Sequence, residues 1–358
     1  MSAVNFVLAL AGLYLVWSLV IRLGLNRLNC WRTFSRDSFF EGESGELVEV
    51  VRNDTFSIIP WLRVESCISP HIRLGSQDNL QVSGDMYYCS FFTVMPYQQI
   101  RRRHKVTFLK RGAYDLGNAA LTSGDALGAM KFSRSQNLST PVLVYPRVLD
   151  PDELPVPLSQ VLGDVVRRQQ LQQDPFLVRG IRAYQPGDPV RDIHWPATAR
   201  VGETQVRVHE YSARNNLLVV LNVQYQDLQL NNYIPDTESA PIEEGIRLAA
   251  SLCIHSLRSG LSAGIAANMP TGEDGAPAVL LPGEGTAREE EILGLCAKLR
   301  LHCAQLFPSF LESLSGHSGM NIIILSRYDS DSVREGIRLL EAAGNQVSLH
   351  LLEGGGKG

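Results

Sequence analysis

The chain has no CxxC pair: Cys30, Cys67, Cys89, Cys253, Cys296 and Cys303 are scattered along it. That scatter excludes a zinc ribbon and a compact disulfide framework, and the apolar neighbours of most of them suit buried thiols in a reducing compartment. A basic excess is missing too. A net charge of -4 offers nucleic acid no global attraction, so any such contact would have to be local. No phosphate-binding loop is present: the glycines of residues 354–358 follow the last strand pattern as a flexible tail, instead of joining a strand to a helix. Charge itself is absent from residues 4–21, and no acidic residue occurs before Asp37.

A helix needs about 20 apolar residues to cross a bilayer, and residues 1–25 supply them if Arg22 snorkels. Tyr14 and Trp17 lie in the second half, where interfacial aromatics gather. No basic residue precedes the run and no small-x-small site follows it, so a cleaved signal peptide fits poorly. Arg22, Arg27, Arg32 and Arg36, the last three in a basic juxtamembrane segment at 26–36, place the soluble bulk in the cytosol by the positive-inside rule. The same arginines are positioned to rest on anionic headgroups. The expectation is a single-pass protein of the cell membrane, with the lipid bilayer as its first partner.

A chain of 358 residues exceeds one ordinary core, so several domains are expected. Residues 37–146 carry short β-type runs at 47–51, 58–64, 86–94 and 106–109. Asn53-Asp54, Ser69-Pro70, Ser83-Gly84-Asp85 and Arg111-Gly112 punctuate them. This spacing predicts a small antiparallel β-sandwich-like module. Arg101, Arg102, Arg103, His104 and Lys105 read either as a phosphate contact or, with more weight, as a solvated strand edge that discourages aggregation. Residues 123–128 read as a turn leading to a strand at 141–145.

Residues 147–215 hold a proline-rich linker (Pro151, Pro155, Pro157), a polar helix at 161–173 and a segment considered below. Residues 216–353 alternate strands at 217–221, 262–267, 320–325 and 346–352 with helices at 241–258, 289–301 and 330–343. A Gly/Pro-rich connection lies between the second strand and the second helix. That alternation predicts a doubly wound α/β domain on a parallel sheet.

The densest chemistry lies in residues 180–200: Gly180, Arg182, Tyr184, Pro186, Gly187, Asp188, Arg191, Asp192, Ile193, His194, Trp195 and Arg200. Pro186-Gly187-Asp188 is turn chemistry, with proline fixing φ and aspartate accepting backbone N–H groups. Three readings are open. Asp188 caps a turn and pairs with Arg182 or Arg191 while Trp195 buries its ring; or Arg182, Arg191 and Arg200 form a fork for a partner's carboxylate or phosphate; or Asp188 and His194 form an acid/base pair. The third lacks a nucleophile or metal set, so no catalytic residue is assigned.

This segment, Gly180-x-Arg182-x-Tyr184-x-x-Gly187-Asp188-x-x-Arg191-x-Ile193-His194-Trp195 followed by Arg200, resembles the signature of the family catalogued as domain of unknown function 58. Arg111 to Tyr114, Ser123 to Gly128 and Val144-Tyr145-Pro146 resemble its upstream elements. The resemblance implies a membrane-anchored β module, the signature, and a von Willebrand factor A-like domain. Members often carry two N-terminal helices, where only one fits here, and commonly accompany a MoxR-type AAA+ ATPase. In von Willebrand factor A domains the first strand leads into Asp-x-Ser-x-Ser, whose oxygens bind Mg²⁺. The stretch here is Asn222-Val-Gln224-Tyr-Gln226, poor in the hard anionic ligands such a cation prefers. Ser326 and Asp329 are the remaining candidates, and no metal or cofactor is expected. The expected function is a cytosol-facing scaffold or adaptor binding an ATPase and other protein clients. The alternative is an enzyme acting on a phosphate- or carboxylate-bearing substrate through Asp188, His194 and nearby arginines.

Overall fold

Uninterrupted apolar residues with no charge make one long helix, α1 (Ala3–Asn26). The structure, a computed structural model, describes residues 3–75, 80–83, 87–125, 130–155, 159–160, 162–165, 173–185, 188, 190–211, 216–227, 236–272 and 275–352. The turn expected at Gly84-Asp85, the second half of the one at 123–128, most of the helix at 161–173, Pro186-Gly187 and the 354–358 tail lie outside these residues.

Helix α1 is long and apolar enough to cross a membrane. Residues 5–13 are exposed, whereas Ser18, Ile21 and Leu25, spaced by three and four residues, are buried against the β module. Gly24 allows this approach, because a Cβ there would lie 2.8 Å from the Ser57 Cβ. The helix ends on Arg134, whose Nη1 donates to the Asn26 carbonyl at 2.7 Å and whose Nη2 donates to that of Leu28. A cation on these carbonyls satisfies orphan acceptors and complements the helix dipole.

The chain divides into two compact units, Met1–Arg147 and Val148–Gly358. In the first, strands β1 (Leu28–Phe34), β3 (Ser44–Asn53), β8 (Gln99–Phe108) and β5 (Ile72–Leu74) form one sheet in the order β1-β3-β8-β5. A second sheet, in the order β11-β10-β4-β7-β6, contains β4 (Ile59–Cys67), β6 (Leu80–Ser83), β7 (Tyr87–Val94), β10 (Asn118–Gly124) and β11 (Lys131–Asn137). Both are antiparallel. A small third sheet joins β2 (Ser38–Phe40), β12 (Pro141–Tyr145) and β9 (Gly112–Asp115), with β2 and β12 parallel. Alternating inward residues of the two large sheets, among them Leu28, Val51, Ile59, Leu62, Val64, Phe92 and Leu121, form a core that Leu25 enters from α1.

Two expectations change here. The juxtamembrane arginines do not all rest on headgroups: only Arg27 separates α1 from β1, which pairs with β3 along its length. Arg32 therefore faces the interior and not a headgroup, donating from Nε and Nη2 to Glu49 Oε1 at 3.0 and 2.9 Å and from Nη1 to Ser66 Oγ at 2.7 Å. Nor is the basic run a uniformly solvated edge. It lies within β8, where strand alternation turns Arg102 and His104 inward. Arg102 lies 4.0 Å from the centre of the Phe92 ring, and His104 Nε2 lies 3.6 Å from Glu49 Oε2.

In the second unit, β13 (Gln173–Ala183) and β14 (Gln205–Tyr211) form an antiparallel ribbon. Between them come a 3-10 turn (Val190–Asp192) and helix α2 (Trp195–Val201). The rest builds one sheet in the order β17-β16-β15-β18-β19 from β15 (Asn216–Leu221), β16 (Ser262–Pro270), β17 (Pro277–Gly283), β18 (Met320–Ser326) and β19 (Gln346–Leu351). All neighbours are parallel except edge strand β17. Helix α3 (Asp236–Arg258) packs on β15, on β16 and on α4 (Thr286–Lys298), while α5 (Phe307–Leu314) packs on α6 (Asp331–Ala342). Leu218, Val220, Ile322 and Ile324 meet Phe307, Phe310 and Leu311 in one core cluster. Strand order reverses at β15, so the ends of β15 and β18 flank a topological switch point.

Candidate functional site

The signature residues sit on the β13–β14 ribbon and the short elements between its strands. Asp188 is held by Arg182 and Gln185: Arg182 donates from Nη1 and Nη2 to its two carboxylate oxygens, each at 2.7 Å, and the Gln185 N–H donates to Oδ2 at 2.8 Å. The fork from Arg182 and the Gln185 N–H hold its carboxyl below the usual carboxylate range. His194 is the N-cap of α2, its Nδ1 accepting the Ala197 N–H at 3.0 Å. Thr198 ties the helix to β14, donating from Oγ1 to the His194 carbonyl and accepting the Gln205 N–H. Gly202 closes α2 in the left-handed conformation at φ 80°, donating its N–H to the Thr198 carbonyl.

Among the described contacts none joins Asp188 to His194, and none links Arg200, exposed in the last turn of α2, to Arg182. Arg191 belongs to the 3-10 turn, but its side chain lies outside what is described, as does Gly187 altogether. Trp195 does not bury its ring as the first of the three readings has it: it is 65% exposed, because α2 is short and contains no buried residue. Tyr184, Ile181, Val190 and Val201 are exposed as well, at 39%, 47%, 70% and 62%. These last three were not singled out in the sequence, although three large apolar residues among turn and charge residues were a readable signal.

The switch point of the sheet is occupied by amides. Asn222 donates from Nδ2 to Ser326 Oγ at 3.0 Å, and its Oδ1 accepts the Gln224 N–H at 2.9 Å and Asn268 Nδ2 at 3.2 Å. Asn268 Oδ1 accepts the Val223 N–H at 2.8 Å, and Gln224 Oε1 accepts the Phe307 N–H at 2.6 Å. Ser326 donates onward to the Tyr328 carbonyl, and Asp329 is forked by Arg334. The residues do not fit a Mg²⁺ site: the side-chain oxygens of Asn222, Gln224 and Asn268 already accept N–H groups, and neutral amides are poor ligands for a hard dication. Among the described residues no group of three His, Cys, Asp or Glu side chains could hold a metal ion. Asn268 was missed in the sequence, yet apart from Ser262 at its start it is the one polar residue of a fully buried strand.

The sequence model of the family described as "Protein of unknown function DUF58" matches residues 180–270. The match supports the DUF58 family. It runs from the second half of β13 through β16, so it spans both the signature ribbon and the Asn222–Asn268 network of this DUF58-like region. No curated protein matches the chain. Solved structures with a partial likeness include the CARDB domain of a Pyrococcus furiosus protein, at 15% identity over 33% of this chain and 86% of that one, with a TM-score of 0.22. A cohesin from Pseudobacteroides cellulosolvens is 9% identical over 36% and 95%, with a TM-score of 0.22. A non-cellulosomal cohesin from Archaeoglobus fulgidus is 8% identical over 32% and 91%, also with a TM-score of 0.22. At these scores the likeness is too remote to assign a shared fold.

Proposed function

We propose that the chain is a single-pass membrane scaffold, facing the cytosol, that presents residues 180–201 to a protein partner. The observation that carries this is the pairing of committed polar groups with uncovered apolar ones. Asp188 and His194 are used in a turn and a cap, while Trp195, Val190 and Val201 stand in solvent on the short turn and helix between the ribbon strands. Exposed tryptophan, tyrosine and arginine are the residue types that dominate interface centres. The partner proposed is a MoxR-type AAA+ ATPase, through the DUF58 resemblance, and other clients would dock through the same assembly. The second unit is read as a doubly wound, von Willebrand factor A-like domain. Its strand order, with the first strand central and an antiparallel edge, supports that reading. Arg22 and Arg27, exposed at the end of α1, support a cytosolic orientation.

An enzyme using Asp188 and His194 on a phosphate or carboxylate is favoured less, since both side chains already hold local structure. Photo-cross-linking of the full chain in native membranes tests the scaffold reading. With the ATPase co-expressed, Trp195→Ala and Arg191→Ala are each expected to lower the cross-linked yield about tenfold. Carbonate-resistant insertion and the thermal midpoint should stay unchanged, Trp195 being too exposed to carry the fold. Full cross-linking by both variants would sink the proposal.

A further inference from the structure

The end of the sandwich from which α1 emerges carries an apolar rim. Register places the start of β1 beside the end of β3 (Leu28 opposite Asn53), the start of β8 beside the same end (Gln99 opposite Arg52), and the start of β4 beside the end of β7 (Ile59 opposite Val94). The connections at 54–58 and 95–98 therefore lie together at this end. They expose Phe56 at 72%, Ile58 at 40%, Met95 at 51% and Tyr97 at 73%.

These loops are rigidly held. Asn53, fully buried, donates from Nδ2 to the Ser57 and Met95 carbonyls at 2.7 and 3.0 Å, and its Oδ1 accepts the Thr55 N–H and hydroxyl at 3.1 and 2.7 Å. The Tyr97 N–H donates to the Thr55 carbonyl at 3.2 Å, joining one loop to the other. Tyr97 takes φ 55°, a left-handed conformation that a non-glycine residue adopts only when its surroundings impose it. Four large apolar side chains are thus fixed pointing away from the core.

The neighbouring surface identifies the occupant. Ser57, between Phe56 and Ile58, packs on Gly24, so the rim flanks the last turns of α1. On that same stretch Leu15, Val16, Trp17, Leu19 and Leu23 are exposed by 46% or more, which only an apolar phase accommodates. The module also reaches up the helix. Tyr14, ten residues and about 15 Å before Gly24 along the axis, donates to Asp125 Oδ2 at 3.1 Å, and Trp61 Nε1 donates to the Asp125 carbonyl at 3.0 Å. The β module thus stands beside the lower part of the apolar helix instead of hanging below it.

We propose that this rim, Phe56, Ile58, Met95 and Tyr97, is a second membrane contact that seats the β module in the interfacial zone of the bilayer. Its apolar surface continues that of α1, and exposed Arg22 and Arg27 add attraction for anionic headgroups. The inference rests on α1 being a membrane span.

The test uses the full chain with Cys67→Ser, reconstituted in vesicles of phosphatidylcholine and phosphatidylglycerol. A polarity-sensitive fluorophore is attached in turn at Phe56→Cys, Tyr97→Cys, Val16→Cys as span reference and Arg73→Cys as solvent reference. Labels at 56 and 97 are expected to be at least about threefold less quenched by aqueous iodide than that at 73, as for groups held at headgroup depth, and to be quenched by lipid spin-labelled near the carbonyls. A span label shielded while 56 and 97 behave like 73 would leave the anchor standing and overturn the rim. An iodide-accessible label at 16 would remove the anchor itself. Shielding at 56 and 97 that vanishes on dilution with lipid, without quenching by the spin-labelled lipid, would assign the rim to a second copy and overturn the proposal.

Discussion

Glu49→Gln is expected to destabilise the β module by about 3–5 kcal/mol, the usual cost of removing one partner of a buried ion pair. The Arg32 and Glu49 side chains are 0% and 1% exposed, and Arg32 spends three N–H groups on Glu49 and Ser66. Glutamine keeps the shape but leaves the guanidinium charge uncompensated in a dry interior. Burial alone would push the Glu49 carboxyl up; the His104 imidazole and the charge and hydrogen bonds of Arg32 outweigh it and hold the group below the usual range. A depressed carboxyl contributes stability that is full above its unfolded value, about 4.3, and is lost as pH falls through the lower folded value. The native chain should therefore lose stability below about pH 4, where Glu49→Gln shows a flatter profile. Thermal unfolding in detergent, followed by the fluorescence of Trp31 and Trp61, measures both effects. A loss under about 1 kcal/mol would mean that water reaches the pair. Arg32→Met combined with Glu49→Leu should cost much less than the sum of the single changes, because no lone charge remains.

The second large effect is expected from Asn268→Asp, an isosteric change in the amide network. Asn268 Nδ2 faces oxygen acceptors of Asn222, Gln224 and Gln305 at 3.2, 3.4 and 3.2 Å. A carboxylate there would oppose three oxygens at a fully buried position, with no cation among the described partners of Asn268, at a cost of at least about 3 kcal/mol. Such an acid has its folded pKa raised by burial. The deficit is then smallest at low pH, where the protonated acid donates one bond, and it grows as pH rises through the raised value. Chemical denaturation of the variant and the native chain between pH 4 and 8 checks the slope. A deficit that does not change with pH would mean that the network rearranges around the charge.

Much of the architecture was legible because burial writes simple patterns. The charge-free run over α1, the apolar runs of β15 and β18 and the helical spacing of α3 and α6 all read directly. What escaped was set by pairing partners far away in sequence. The arginines at 27–36 obey a membrane-topology pattern, so the strand hidden among them was masked, although Arg32 meets Glu49 and Ser66 only after folding. Edge strand β17 begins at Pro277 and contains Pro282, which turned its signal into that of a loop; an edge tolerates proline because one side needs no ladder. The β13–β14 ribbon was not anticipated, since its strands flank the signature and pair only with each other. In the signature, Asp188 as a turn acceptor paired with Arg182 followed from turn chemistry. The exposure of Trp195 did not, because a tryptophan in a short segment says nothing of whether a core lies beneath it.

One residue, Arg27, separates the helix from the first strand, and Arg134 of β11 clasps the carbonyls on both sides of it. There is no slack at this joint. Helix and sandwich behave as a single lever, so a change in the tilt of α1, from a thicker bilayer or a neighbouring helix, becomes an equal rotation of the β module. A glycine-rich insertion after Asn26 would convert this lever into a leash.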